Sequence, residues 1–185
     1  MAPLDEPPNL SPADQAALAA VAAARFHADG RTQVPAIYAA LFHNPPVAEA
    51  VASLGERIRF AGVLPDRTRE LAILWFATAN RLGYEWSHHQ RPAALAGLTP
   101  SEIEDVSSGR VPDTLAPAEA AALDAIASLL RGESIPEPCQ SRLEAEYGTA
   151  GLVELVVLCG LYATMGYVAT AFDIQVEEGL PKPPF

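Results

Sequence analysis

Basic residues are scarce in this chain. Of its 185 residues only 12 are Lys or Arg, against 23 Asp or Glu, a formal charge of 12 − 23 = −11. No Lys/Arg cluster offsets that surplus locally, so a phosphate backbone or an anionic membrane surface is repelled. Neither nucleic acid nor a membrane is expected as a partner. Cysteine is nearly absent as well. The two present, Cys139 and Cys159, are far apart and match no metal or redox spacing. No disulfide framework is implied, and a reducing cytoplasm is the expected location. The N-terminal stretch MAPLDEPPNLSPAD lacks a basic segment followed by an apolar run, so no secretory signal is expected. Long apolar runs are also few. The longest, Leu152 to Ala171, is interrupted by Glu154 and carries Gly160, Thr164, Gly166 and Thr170. That composition suits a buried core helix better than a membrane span, which needs about 20 mostly apolar residues.

Alanine is what the chain has in quantity. Half the residues are hydrophobic and 19% are charged, enough to bury a sizeable core. Alanine loses no side-chain entropy in a helix, and β-branched residues are sparse in most segments, so helix is favoured over sheet. The length fits one domain of ordinary size or one domain with an added arm. No segment shows good period-2 alternation, so the expected class is all-α, a helical bundle.

Helix punctuation is frequent. Residues 1–10 are proline-rich and expected to be extended. Ser11-Pro12 reads as a cap followed by a first-turn proline, opening a helix that stops at Gly30. A short helix is expected around Pro35–His43. Asn44-Pro45 opens another, to about Phe60–Gly62, and Asp66 caps the next. Gly83 marks a turn before a helix over Tyr84–Leu95, closed by Gly97, with Pro92 expected to kink or restart it. Thr99-Pro100-Ser101-Glu102 has the capping-box arrangement. Helices are expected over about 118–131, 137–147 and 150–177.

The segment from Arg67 to Gly97 is richest in groups able to move protons. Glu85 and His89 stand at i and i+4 on one helix face, within hydrogen-bond reach, and His88 flanks that face. Glu70 sits inside the preceding helix amid Leu71, Ile73, Leu74 and Trp75. Its closeness to His89 depends on a crossing angle the sequence does not give. A carboxylate beside an imidazole raises the histidine pKa by charge pairing, while apolar surroundings raise the carboxylate's own. Groups tuned toward neutrality can exchange a proton with substrate, contributing about 10²–10⁴ in rate. The same spacing also describes a surface pair worth a few tenths of a kcal/mol. Tyr84, Trp86 and His88 are candidates to line a substrate pocket, with aromatic packing the alternative for Tyr84 and Trp86. Arg67 and Arg69 suit either a substrate carboxylate or helix-surface salt bridges. Neither HExxH nor a Cys/His box is present, so no metal is expected, nor any cofactor.

Three strings together carry a resemblance: Arg69-Glu70-Leu-x-Ile-Leu, then Tyr84-Glu85-Trp86-x-x-His89, then Ala-x-x-Gly97-Leu98-Thr-x-x-Glu102-Ile103. Leu115–Asp124 and Leu152-Val-Glu-Leu-Val-Val-Leu-x-Gly160-x-Tyr162 extend it, over roughly residues 45–175. They resemble the carboxymuconolactone decarboxylase family, whose fold is that of the alkyl hydroperoxidase D proteins. The resemblance implies an alkyl hydroperoxidase D-like helical bundle over residues 45–178, preceded by an N-terminal arm and helices over 1–44. It also implies a homo-oligomer acting on a small-molecule substrate.

Hydroperoxidase relatives carry a glutamate, then a Cys-x-x-Cys-x-x-x-His element twelve residues later. Aligned through His89, the glutamate falls on Glu70 and the two cysteine positions fall on Leu82 and Glu85. Both sulfurs are missing, so thiol-based peroxide reduction is not expected at this site. What the resemblance implies instead is a lyase or isomerase type of reaction on a small carboxylated or lactone-like substrate. Glu85 and His89 form the acid/base pair, Glu70 orients His89 or shares a proton with it, and a protonated His89 quenches the carbanion left by CO₂ loss. A thiol peroxidase and a non-catalytic binding protein on the same fold are the alternatives.

Overall fold

The computed structural model describes residue 4, residues 10–29 and residues 34–185. Most of the proline-rich N-terminal stretch and the expected stop at Gly30 lie outside them. Among the described residues there are eight helices and no strand. They are α1 (Pro12–Asp29), α2 (Ala36–Leu41), α3 (Pro45–Phe60), α4 (Asp66–Ala79), α5 (Gly83–Leu95), α6 (Pro100–Ser107), α7 (Pro117–Leu130) and α8 (Glu137–Ala171). The all-α expectation holds.

Local chemistry starts and stops several of these helices. Ser11 Oγ accepts from the Asp14 backbone N–H at 3.2 Å, and the Thr99–Glu102 capping box closes from both sides. After α5 the chain turns at Gly97, whose φ of +95° suits glycine. There Leu98 N–H bonds Ala93 O and Gly97 N–H bonds Ala94 O, the paired bonds of a Schellman ending.

Three expectations are corrected. Asp66 is the first helical residue and not the cap. Pro65 holds that position with φ −54°, while the Asp66 carboxylate pairs with Arg69 at 2.9 Å. Pro92 does not break α5: it sits near the C-terminal end, where it removes one backbone bond and the helix runs on to Leu95. The break expected between the last two helices is present, a kink at Gly148 with φ +68° and ψ 171°, across which the two run on as α8. That element ends at Ala171, six residues before the expected end at 177. Asp173 takes φ +50° and the chain folds back, bringing Glu177 to the start of α5.

The position of α4 organises the core. It packs against α5, α6, α7 and α8 and is buried nearly all round from Thr68 to Ala77, with its apolar residues gathered in the stretch Leu71–Ala77 and its charged ones in the first turns. Ala72, Ile73 and Phe76 enter one hydrophobic cluster with α2, α3, α7 and α8. Leu71, Leu74 and Ala77 enter a second with Trp86, Leu98, Val106 and Leu123. By length and composition α8 could cross a membrane, yet Leu155, Leu158, Leu161, Tyr162 and Met165 are all buried in the core. Its other face leaves Val153, Val156, Val157 and Tyr167 exposed.

Candidate functional site

Four polar side chains from three helices meet where α4 and α5 pack against α8. Glu70 from α4 is 2% exposed and His89 from α5 is 4% exposed. Glu70 Oε2 lies 2.7 Å from His89 Nδ1. On the other side of the imidazole, the Tyr162 hydroxyl from α8 lies 3.1 Å from Nε2, and the two rings meet edge to face. Glu85 Oε2 stands 3.9 Å from the same Nε2, and Glu85 Oε1 is buried with no hydrogen-bond partner. So the helix spacing that joined Glu85 to His89 is realised, and the α4–α5 crossing brings Glu70 into the same group.

Their charges follow from burial and neighbours. Burial pushes the Glu70 carboxyl up, but His89, Arg59 and Arg69 outweigh it and hold the group below its usual range. Burial lowers the His89 pKa, and Arg59 and His88 add to that effect. Together they exceed the pull of Glu70. The expected raised histidine pKa is therefore reversed, because desolvation of the imidazolium exceeds the gain from one carboxylate. The consistent state is an ionised Glu70 accepting Nδ1–H from a neutral His89. That fixes the tautomer and leaves the Nε2 lone pair to accept from the Tyr162 hydroxyl. Burial also keeps that phenol protonated. Glu85 differs from its neighbours: burial raises its pKa to about 7, with Arg59 opposing and Glu177 adding to the rise.

Glu85, His88, His89, Tyr162 and Tyr84 face a narrow cleft of about 50 Å³, closed by Tyr38, Arg59, Leu161 and Met165 among others. At its rim the Tyr84 hydroxyl donates to Glu177 Oε1 at 2.8 Å, and His88 Nε2 lies 2.7 Å from Glu177 Oε2. Tyr84 and His88 stack at 4.2 Å. Burial raises the Glu177 carboxyl, yet His88 and Tyr84 bring it down to about 2. Trp86 does not reach the cleft. It lies in the second hydrophobic cluster, its indole N–H donating to Ser107 Oγ at 3.0 Å. Neighbours two apart on a helix point about 200° away from each other, so Tyr84 and Trp86 cannot share a face.

Arg67 and Arg69 are both occupied by carboxylates, Arg67 by Glu102 and Glu119 and Arg69 by Asp66. Cys159 is buried with its thiol pushed up to about 12, and the Cys139 pKa is raised by burial as well. Neither has the low pKa of a reactive thiolate. Leu82, at the other missing sulfur position, packs against Gly166, where a Cβ would collide with it. Among the described residues no group of three His, Cys, Asp or Glu is arranged to hold a metal ion.

Arg59 and Tyr162 line the cleft and Glu177 braces its rim, and the sequence singled out none of the three. Tyr162 stood inside a matching string without a role. Arg59 ends a helix whose other polar residues face solvent, and Glu177 lies past the last helix. An arginine following Ile58 on an otherwise apolar stripe was the one usable signal.

Residues 45–128 match the carboxymuconolactone decarboxylase family. No curated protein matches the chain. Among solved structures it is similar to a debrominase, Bmp8, in complex with 2,3,4-tribromopyrrole, at 19% identity and TM-score 0.77, covering 96% of this chain and 94% of that one. It is also similar to a protein of unknown function from Agrobacterium tumefaciens, assigned to the antioxidant defence protein AhpD (20% identity, TM-score 0.64, 73% and 93% covered). A third is an uncharacterized peroxidase-related protein from a Silicibacter species (16% identity, TM-score 0.74, 95% and 90% covered). At these identities the likeness shows the fold, and the fold is the AhpD-like one.

Proposed function

We propose that the chain, whose residues 45–128 match the carboxymuconolactone decarboxylase family, is a lyase or isomerase-type enzyme. It moves a proton on a small carboxylated or lactone-like substrate held in the cleft, without redox chemistry. The supporting observation is Glu85: a carboxyl with one unpartnered oxygen, facing the cleft, with a pKa of about 7.

In this reading Glu85 exchanges the proton. Loss of CO₂ from a carboxylated substrate, or enolisation of a lactone, places carbanion character on carbon. The Glu85 carboxyl delivers a proton there and becomes a carboxylate. Because His89 is held neutral, the donor is Glu85 in place of the protonated His89 expected from spacing. His89 and Tyr162 serve the oxygen side. Tyr162 can turn its O–H from Nε2 to a developing oxyanion, and Glu70 keeps His89 in the tautomer that receives it. Disulfide-based peroxide reduction is disfavoured, since Leu82 and Glu85 stand where the thiols are needed.

The test is turnover of carboxymuconolactone and related lactones, followed by CO₂ release and by deuterium uptake from heavy water. Wild type is expected to turn over one of them, and Glu85→Gln and His89→Ala to lose that activity while remaining folded. Near-wild-type activity in either variant rejects the assignment. We also propose self-association through the exposed apolar face of α8 at Val153, Val156, Val157 and Tyr167. Light scattering reads this directly: Val157→Glu should shift an oligomer toward monomer.

A further inference from the structure

Arg59 does not fit a purely structural role. It lies in the last turn of α3, one turn after Gly55, and both residues line the cleft. Its Nε is buried and has no hydrogen-bond partner, and no ion pair among the described residues ends on its guanidinium. A guanidinium offers five N–H donors in a fixed fork and cannot give up its charge. Arg67, by contrast, bonds Glu102, Glu119 and a backbone carbonyl. Arg69 also has an Nε without a hydrogen-bond partner, but its guanidinium is paired with Asp66 at 2.9 Å and lies 3.5 Å from Glu70. The Arg59 guanidinium lies over the ring of its neighbour Phe60, its carbon 5.1 Å from the centroid, and it feels Glu70 and Glu85 through space without an ion pair to either among the described residues.

The groups around Arg59 indicate which side an anion would fill. Toward the recess it shares with Arg69, the carboxylates Asp66 and Glu70 already supply negative charge. Toward the cleft the nearest carboxyl is Glu85, which keeps its proton up to about 7. On that side the guanidinium faces Tyr38, Tyr162 and open space. A planar carboxylate seated there accepts the forked donors, with its remaining atoms beside Glu85 and His89.

We propose that Arg59 is the anion-recognising group of the cleft, a positioning residue that binds a substrate carboxylate and sets the adjacent carbon against Glu85. The proposal rests on the acid/base reading of the same cleft and names the charged handle of its substrate. It also replaces Arg67 and Arg69, the arginines the sequence offered for that task.

Binding can be read without turnover, using benzoate and its neutral isostere benzamide as probes in calorimetric titrations of the full chain. Wild type is expected to prefer benzoate by about tenfold or more, the scale of a charge-assisted bidentate contact. Arg59→Gln should erase that preference while leaving benzamide affinity unchanged, and Arg59→Lys should keep part of it. Should Arg59→Gln not fold, Arg59→Lys decides alone: benzoate binding as tight as wild type overturns the proposal. Absence of a benzoate preference in wild type, or its survival in Arg59→Gln, also overturns it. Glu85→Gln separates the two readings. Benzoate preference retained with turnover lost supports both, and turnover retained rejects the acid/base reading while the anion site stands.

Discussion

Two carboxylate clusters hang from the same face of the chain, and α4 contributes to both. In the first, Arg67 is ringed by Glu102 at 2.6 Å, Glu119 at 2.9 Å and the Gly97 carbonyl at 2.6 Å. Glu102 also accepts from the Thr99 backbone N–H and from the Thr114 hydroxyl. Its pKa falls to about 2, chiefly through the Arg67 bond. Three residues further along α4, Glu70 opens the second cluster. There the nearest basic nitrogen to Glu85, His89 Nε2, is 3.9 Å away, one of its oxygens has no partner, and burial lifts its pKa to about 7. Both glutamates are buried. Two things separate them: Glu85 lies deep, where desolvation is the main cause of its raised pKa, while Glu102 lies nearer the surface with several donors, Arg67 first, aimed at its charged form. The first cluster ties α4 to the start of α6 and α7. The second leaves a proton available to the cleft.

Substitutions can break that contrast from either side. The largest effect is expected at Glu85→Gln, which keeps the shape and removes the exchangeable proton. Turnover should fall by about 10²–10⁴-fold, the usual worth of a positioned acid or base. In wild type kcat/KM should decline as pH rises through about 7, because the acting form is the protonated one. Retention of that decline in a partly active Glu85→Gln would assign it to another group.

Stability offers the next test. Folded Glu85 holds its proton to about 7 against an ordinary 4.5, so the native state binds the extra proton between these values. Stability therefore falls as pH rises from 4.5 through 7, by up to about 3 kcal/mol. Urea titrations at pH 4 and pH 8 should show a smaller fall for Glu85→Gln than for wild type. Arg67→Ala attacks the other cluster. It should cost roughly 2 kcal/mol at neutral pH, the scale of hydrogen bonds to charged groups, with turnover retained. The smallest effect is expected at Glu177→Gln, about 1 kcal/mol, together with a raised KM from a loosened rim. An unchanged KM would confine Glu177 to a structural role.

How much of this was legible in the sequence divides along the range of the interactions. The Ser11 cap, the Thr99–Glu102 box and the Gly97 turn are set by residues within four positions of one another, and each stands where the sequence put it. Glu85 and His89 were legible for the same reason, one helical turn apart. Glu70 needed the family pattern, since its distance to His89 is set by how α4 crosses α5. Arg59 stands 11 positions before Glu70, and Tyr162 and Glu177 stand 73 and 88 positions after His89, so no local rule selects them. The early end of α8 has the same origin: the tail folds back because Tyr84 and His88 bind Glu177. Of the two readings open for Trp86, aromatic packing is the one realised, because residues two apart on a helix face opposite ways.

The account depends most on where the proton of Glu85 resides. Carbon-13 NMR of glutamate-labelled protein, with the Glu85 carboxyl assigned by its loss in Glu85→Gln, titrates that group directly. A midpoint near 7 is the predicted result. A midpoint near the ordinary carboxylate value of 4.5 would leave Glu85 ionised at neutral pH and contradict its role as the proton donor.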